Sequence, residues 1–133
     1  MIRYLDEPGA IRAEQVGEGF FVGWPTPPSA QQLVDVMDGS YRRVWALDGD
    51  RVVGYINAIS DGVLTAFIPW LEVLPEYQSQ GIGQELVRRI VASLDGMYSI
   101  DLACDDHLIG YYERLGFFEG TAMVMRNPRV LRG

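Results

Sequence analysis

Apolar residues recur at Ile82, Leu86, Ile90 and Leu94, with Val87 and Val91 beside them, while Glu85, Arg88 and Arg89 extend the surface away from that stripe. This spacing predicts an amphipathic helix that opens after Gly81 and ends at the C-cap signal Asp95-Gly96. The preceding stretch, residues 66–73, is apolar on both faces, as a central strand covered by helices should be. Pro69 lies inside it and has no N–H to give a ladder, so a bulge or a break in pairing is expected there. Residues 41–47 and Arg51–Ser60 read as strands of a hairpin turning at Asp48-Gly49-Asp50. Residues 1–5 predict a short opening strand and residues 11–19 a helix. Residues 20–28, aromatic and proline-rich, read as a stiff loop. Ser29 is a suitable N-cap for a helix over residues 30–37, stopped by Gly39. Residues 98–104 then predict a strand, 108–115 a short helix stopped by Gly116, and 121–126 a last strand. Strands and helices mix without repeats, which gives an α/β class: a central mixed, strongly twisted sheet flanked by helices, in one domain over residues 1–133.

Composition narrows the partners. At 133 residues the chain can bury roughly two-thirds of its unfolded surface. A formal charge of −7 argues against a nucleic-acid footprint and suits a cationic partner. A single cysteine, Cys104, excludes an internal disulfide and a cysteine-based zinc cluster, and no metal is expected. The longest apolar run, near residues 63–71, is far too short to span a bilayer. Asp6 and Glu7 interrupt the start, no basic segment precedes an apolar run, and a cytoplasmic protein is expected.

The most informative segment joins strand to helix: Val73-Leu74-Pro75-Glu76-Tyr77-Gln78-Ser79-Gln80-Gly81-Ile82-Gly83. A helix N-terminus leaves backbone N–H groups unpaired, and its dipole favours negative charge. Glycines at 81 and 83 let a phosphate approach the main chain. Together with Tyr112-Glu113-Arg114-Leu115-Gly116-Phe117, this segment resembles the two hallmark motifs of the GNAT superfamily of N-acetyltransferases, over roughly residues 50–118. The resemblance implies acetyl-CoA as donor and an amine, small-molecule or protein, as acceptor, with direct transfer in a ternary complex. It also implies a bulged strand splayed from its neighbour, where the pantetheine arm lies; Pro69 is consistent with that gap. Residues Gln78, Ser79, Gln80, Gly81, Ile82 and Gly83 would hold the pyrophosphate. Ser79 and Gln80 stand where relatives often carry basic residues, which leaves the helix N-terminus as main holder, with Arg88 or Arg114 as helpers. Two other classes compete: a non-catalytic acyl-CoA-binding module, and a structural domain with a Gly-rich turn and no ligand. Neither nucleic acid nor membrane is expected as partner, and a homodimer stays open.

Acyl transfer to an amine requires a neutral nucleophile, a held thioester, a stabilised oxyanion and a protonated leaving thiolate. By its place in the second motif, Tyr112 is implied to stand near the sulfur as general acid; the alternative is a tyrosine that packs its helix on the sheet. Leu71 and Val73 would act through backbone N–H groups facing the gap. The base is less defined, because the carboxylate of many relatives falls on a position occupied by Phe67. Glu72 is the one strand carboxylate, either a base with a pKa raised by burial or a structural residue paired inside the fold. Asp105 reads as an N-cap or a cleft residue, Asp106 as a second cap, His107 as a solvated histidine and Cys104 as a small buried thiol. Phe20, Trp24 and Tyr111 are candidate walls of the acceptor pocket, against the alternative of an aromatic core.

Overall fold

The computed structural model describes residues 1–131. Its elements are β1 (Ile2–Leu5), α1 (Ala30–Gly39), β2 (Arg42–Asp48), β3 (Arg51–Ser60), β4 (Thr65–Ile68), β5 (Leu71–Val73), α2 (Ile82–Ser93), β6 (Ser99–Leu102) and α3 (Ile109–Arg114). The strands form one six-stranded sheet in the order β1-β2-β3-β4-β6, with β5 also paired to β3. All pairs are antiparallel except β4 with β6, which is parallel, so the sheet is mixed.

The helices cover the two faces with different partners. On one face Leu33, Val34 and Met37 of α1 pack over Trp45, Leu47, Val52 and Tyr55. On the other, Leu86, Val87 and Ile90 of α2 pack over Val44, Ala46, Val53 and Ile56, with Tyr112, Leu115 and Phe117 against the same cluster. Each fully buried side chain of this size contributes about 1.5–3 kcal/mol. Ser29 caps α1: its hydroxyl accepts from the Gln32 N–H at 3.1 Å, and Gln32 Oε1 accepts from the Ser29 N–H at 3.0 Å. At the other end, the buried Arg43 guanidinium donates to the carbonyls of Met37 and Ser40, at 2.8 and 2.6 Å. A cation there satisfies carbonyls that the helix leaves unpaired and complements its dipole.

The expected break at Pro69 divides one long strand in two. Its first half, β4, pairs with the end of β3 through Ile59↔Phe67 and Ser60↔Ala66. Its second half, β5, pairs with the middle of β3 through Gly54↔Val73, Tyr55↔Glu72 and Ile56↔Leu71. Asn57, 1% exposed, fills the gap: its Oδ1 accepts from the Trp70 N–H at 3.2 Å, and its own N–H donates to the Trp70 carbonyl at 3.2 Å. Since β6 follows β4 only as far as Ile68↔Leu102, β5 has no strand on its far side and the sheet splays open.

Two expected elements differ. Residues 11–19 form only a 3-10 turn at Ala13–Gln15, because Gln15 folds back to accept from the Arg12 N–H at 2.9 Å and reaches the Asp50 carbonyl at 3.1 Å. Residues 121–126 form no strand; they run exposed beyond Phe117, without a partner to complete a ladder. Among the described residues no helix is long and apolar enough to cross a membrane.

Candidate active site

The splay creates a cleft of about 510 Å³ that passes between the two halves of the sheet. Its walls come from β5, from the chain after β6 (Leu102–Asp105), from α3 through Tyr112, and from the loop carrying Phe21, Val22 and Trp24. Along β5 the ladder alternates. The Leu74 N–H donates to Val53, and Trp70 accepts from Asn57, so residues 70, 72 and 74 turn their main-chain groups to β3. The N–H groups of Leu71 and Val73 therefore point into the splay. On the same side the Val73 carbonyl accepts from Gln78 Nε2 at 3.0 Å, which ties the following turn to the strand.

That turn delivers the N-terminus of α2. Gly81 is its N-cap, with φ of +84°, and no side chain caps the helix. The first helical bond is Glu85 N–H to the Gly81 carbonyl at 3.0 Å, so the N–H groups of Ile82, Gly83 and Gln84 have no carbonyl one turn earlier in the helix. A Cβ on Gly81 would meet nothing within 4 Å, whereas one on Gly83 would stand 3.2 Å from the Tyr111 hydroxyl. Glycine at 83 thus lets α3 approach α2; glycine at 81 serves the left-handed backbone and leaves open space. Ser79, Gln80 and Gly81 are exposed, and Ile82 is buried with only its main chain at the helix end. Arg88 is not free for a phosphate, because it forms a two-point pair with Glu85. Arg114 has no ion pair among the described residues.

Glu72 faces the α1 side, opposite Tyr55 in the ladder. Tyr55 Oη donates to its Oε1 at 2.8 Å, and the Phe21 N–H donates to its Oε2 at 2.6 Å. Burial raises the Glu72 carboxyl above the usual carboxylate range, against the opposing bonds from Tyr55, Phe21 and Val22. The Tyr55 phenol is pushed far up by its own burial and by the Glu72 charge. One carboxylate thus pins the left-handed Phe21, φ +61°, over the cleft. Phe21 packs edge-on to Trp24 and Trp70, with centroids 5.1 and 5.5 Å away, so three aromatic rings surround the Glu72 end.

Tyr112 is half-buried at the opposite end, edge-on to Phe117 at 5.8 Å and to Tyr111 at 5.1 Å. Its phenol is pushed up to about 12, first by burial and then by Tyr111 and Cys104. Among the described residues no hydrogen bond engages its hydroxyl, which leaves that group available to a ligand.

Of the residues singled out from sequence, the cleft brings together Glu72, Tyr112, Leu71, Val73, Gln78 and Trp24. Phe20 and Tyr111 do not line it: Phe20 stacks on Tyr55 at 5.2 Å, and Tyr111 stands against Gly83. Asp105 occupies the N-cap position of a 3-10 turn, but its side chain makes no cap bond and lines the cleft instead. Cys104 is exposed, not buried as expected, because β6 ends at Leu102 and the chain after it borders the cleft. Desolvation and the neighbouring Asp105, Asp106 and Glu119 raise its thiol, which makes it a poor nucleophile at neutral pH. His107 is exposed in the 3-10 turn outside the cleft. Phe21, Tyr55, Trp70 and Asn57 were not legible as site residues. Only the aromatic density of residues 20–24 and the position of Trp70 beside Pro69 hinted at them.

Residues 12–117 match the Acetyltransferase (GNAT) family. A solved acetyltransferase structure from Deinococcus radiodurans is 40% identical, with a TM-score of 0.89 over 94% of this chain and 87% of that one. A GNAT-family acetyltransferase from Streptococcus pneumoniae is 31% identical, with a TM-score of 0.77 over 96% and 98%. The chloroplastic GCN5-related N-acetyltransferase 2 of Arabidopsis thaliana is 36% identical over 117 residues, 72% of this chain and 45% of that protein. The chain spans about half the length of the curated relatives it matches.

Proposed function

Because the chain belongs to the GNAT family of acetyltransferases, we propose that it transfers the acetyl group of acetyl-CoA directly to an amine, with both substrates in one cleft. The observation that carries this reading is the division of the strand at Pro69. It opens a single passage from the α2 N-terminus, past the free amides of β5, to Tyr112 and Glu72.

The residues present fit acetyl-CoA. The uncapped N-terminus of α2 and the open space at Gly81 suit a pyrophosphate, and the Leu71 and Val73 amides suit the amide-bearing pantetheine arm. Acetyl-CoA, when bound, supplies an acetyl group activated as a thioester. The β5 amides polarise that carbonyl as an oxyanion develops. Tyr112 donates its proton to the departing thiolate. Its raised pKa keeps the phenol protonated at neutral pH, and a thiolate desolvated in the same cleft becomes a stronger base as well. At the far end Glu72 takes a proton from the acceptor ammonium, directly or through water, while Phe21, Trp24 and Trp70 offer ring faces that favour a cation. The chain's net charge of −7 favours the approach of such an acceptor.

Calorimetry with CoA, followed by thiol release from acetyl-CoA across a panel of primary amines, tests this reading. Binding together with amine-dependent thiol release is expected. Binding without turnover on any amine would leave a non-catalytic acyl-CoA-binding module, and no binding would remove the reading altogether.

A further inference from the structure

One edge of the sheet and one segment of the chain are both left without partners, at the same end of the molecule. β6 is the terminal strand: it pairs with β4 on one side, and among the described residues no strand lies on the other. An unpaired edge strand exposes a row of N–H and C=O groups that soluble proteins cover, charge or twist away. β6 carries Asp101 but has no proline or lysine, and it is not covered. After Phe117, whose N–H donates to the Tyr112 carbonyl at 3.1 Å, the chain leaves the core as an arm, residues 118–127. The arm carries Phe118 at 91% exposure, Met123 at 94% and Met125 at 98%. It does not fold back on its own β6. The sheet face beside that edge is also bare, with Ile59 50% and Phe67 39% exposed on neighbouring strands.

We propose that the arm of one copy pairs along the β6 edge of a second copy, and reciprocally, in a strand-exchanged homodimer. The two features complement each other. Every copy offers one free edge and one free extended segment, so a two-fold axis satisfies both at once and leaves neither to propagate. The arm's length suits the crossing: ten extended residues span about 33 Å at about 3.3 Å each, more than twice the length of a four-residue edge strand. Pairing there puts the arm's methionines and Phe118 beside the bare face of Ile59 and Phe67, which removes an apolar exposure that a monomer would leave in water. A second copy, not an unrelated protein, is the occupant, because the missing strand is already in the chain.

Light scattering of the full chain at micromolar concentration, combined with hydrogen exchange, tests the exchange. The expected result is a dimer in which amides of residues 121–126 and of β6 are protected together, and lose protection together on dilution. Val124→Pro removes one ladder donor per arm. Two symmetric losses should weaken association by about ten- to a hundredfold while the circular dichroism of the core persists. Met123→Asp with Met125→Asp provides a second variant that spares the main chain, and it too should dissociate the dimer. A monomer with a protected arm would mean fold-back onto its own edge, and a monomer with an unprotected arm would mean no pairing; either overturns the proposal. A dimer that neither variant weakens would place the interface elsewhere and overturn it as well.

Discussion

Two side chains carry opposite ends of the proposed chemistry, and each is separable by a conservative change. Tyr112→Phe removes only a hydroxyl that has no hydrogen-bond partner among the described residues, so packing on Tyr111 and Phe117 should persist. A positioned acid contributes about a hundredfold to ten-thousandfold. Steady-state kinetics should show kcat lowered by that order or just below it, with CoA affinity unchanged by calorimetry. Wild-type kcat in the folded variant would reduce Tyr112 to a packing residue. Glu72 acts as a base only when ionised, so activity through it rises as pH climbs through its raised pKa. Glu72→Gln should lower turnover and flatten that acidic limb. The same shift has a stability sign. The folded carboxyl holds its proton to higher pH than the unfolded one, so this group favours folding at low pH and loses that contribution as pH rises through the interval. Thermal melts of wild type and Glu72→Gln between pH 4 and 7 should therefore converge or cross as pH rises, and parallel curves would contradict the shift. The sequence named both residues but not how Glu72 points. Its direction depends on the Tyr55↔Glu72 register, and its second oxygen on a loop 51 residues earlier.

At the scale of elements, the site depends on a strand broken in the right place. Asn57 holds that break, bonding the main chain of Trp70 on one side and the Ser40 hydroxyl at 2.9 Å on the other. Asn57→Leu leaves the Trp70 N–H without its acceptor inside the fold. Denaturant unfolding should show a loss of about 1–3 kcal/mol, together with weaker CoA binding as β5 shifts. An unchanged midpoint would show that water replaces the asparagine. Local patterns announced much of this level. The four-residue spacing of Ile82, Leu86, Ile90 and Leu94 gave α2, all four being buried, and Pro69 gave the break. Patterns that depend on distant partners were less readable. Residues 11–19 carry enough apolar spacing for a helix, yet Gln15 is held by Arg12 and Asp50 in a single turn. Residues 121–126 have strand-like residues, but a strand exists only where another backbone receives it. Asn57 itself reads as an ordinary polar residue of a hairpin until its partner across the break is known.

At the scale of the molecule, the account rests on one continuous cleft that holds donor and acceptor together, with Cys104 near it but too poor a nucleophile to carry an acetyl group. Initial-velocity measurements that vary acetyl-CoA at several fixed concentrations of a competent amine test this most directly. Double-reciprocal lines that intersect are predicted, because both substrates must occupy the cleft before transfer, and the pattern should be the same in Cys104→Ala. Parallel lines, the signature of a covalent acetyl-enzyme released before the amine reacts, with activity lost in Cys104→Ala, would contradict it.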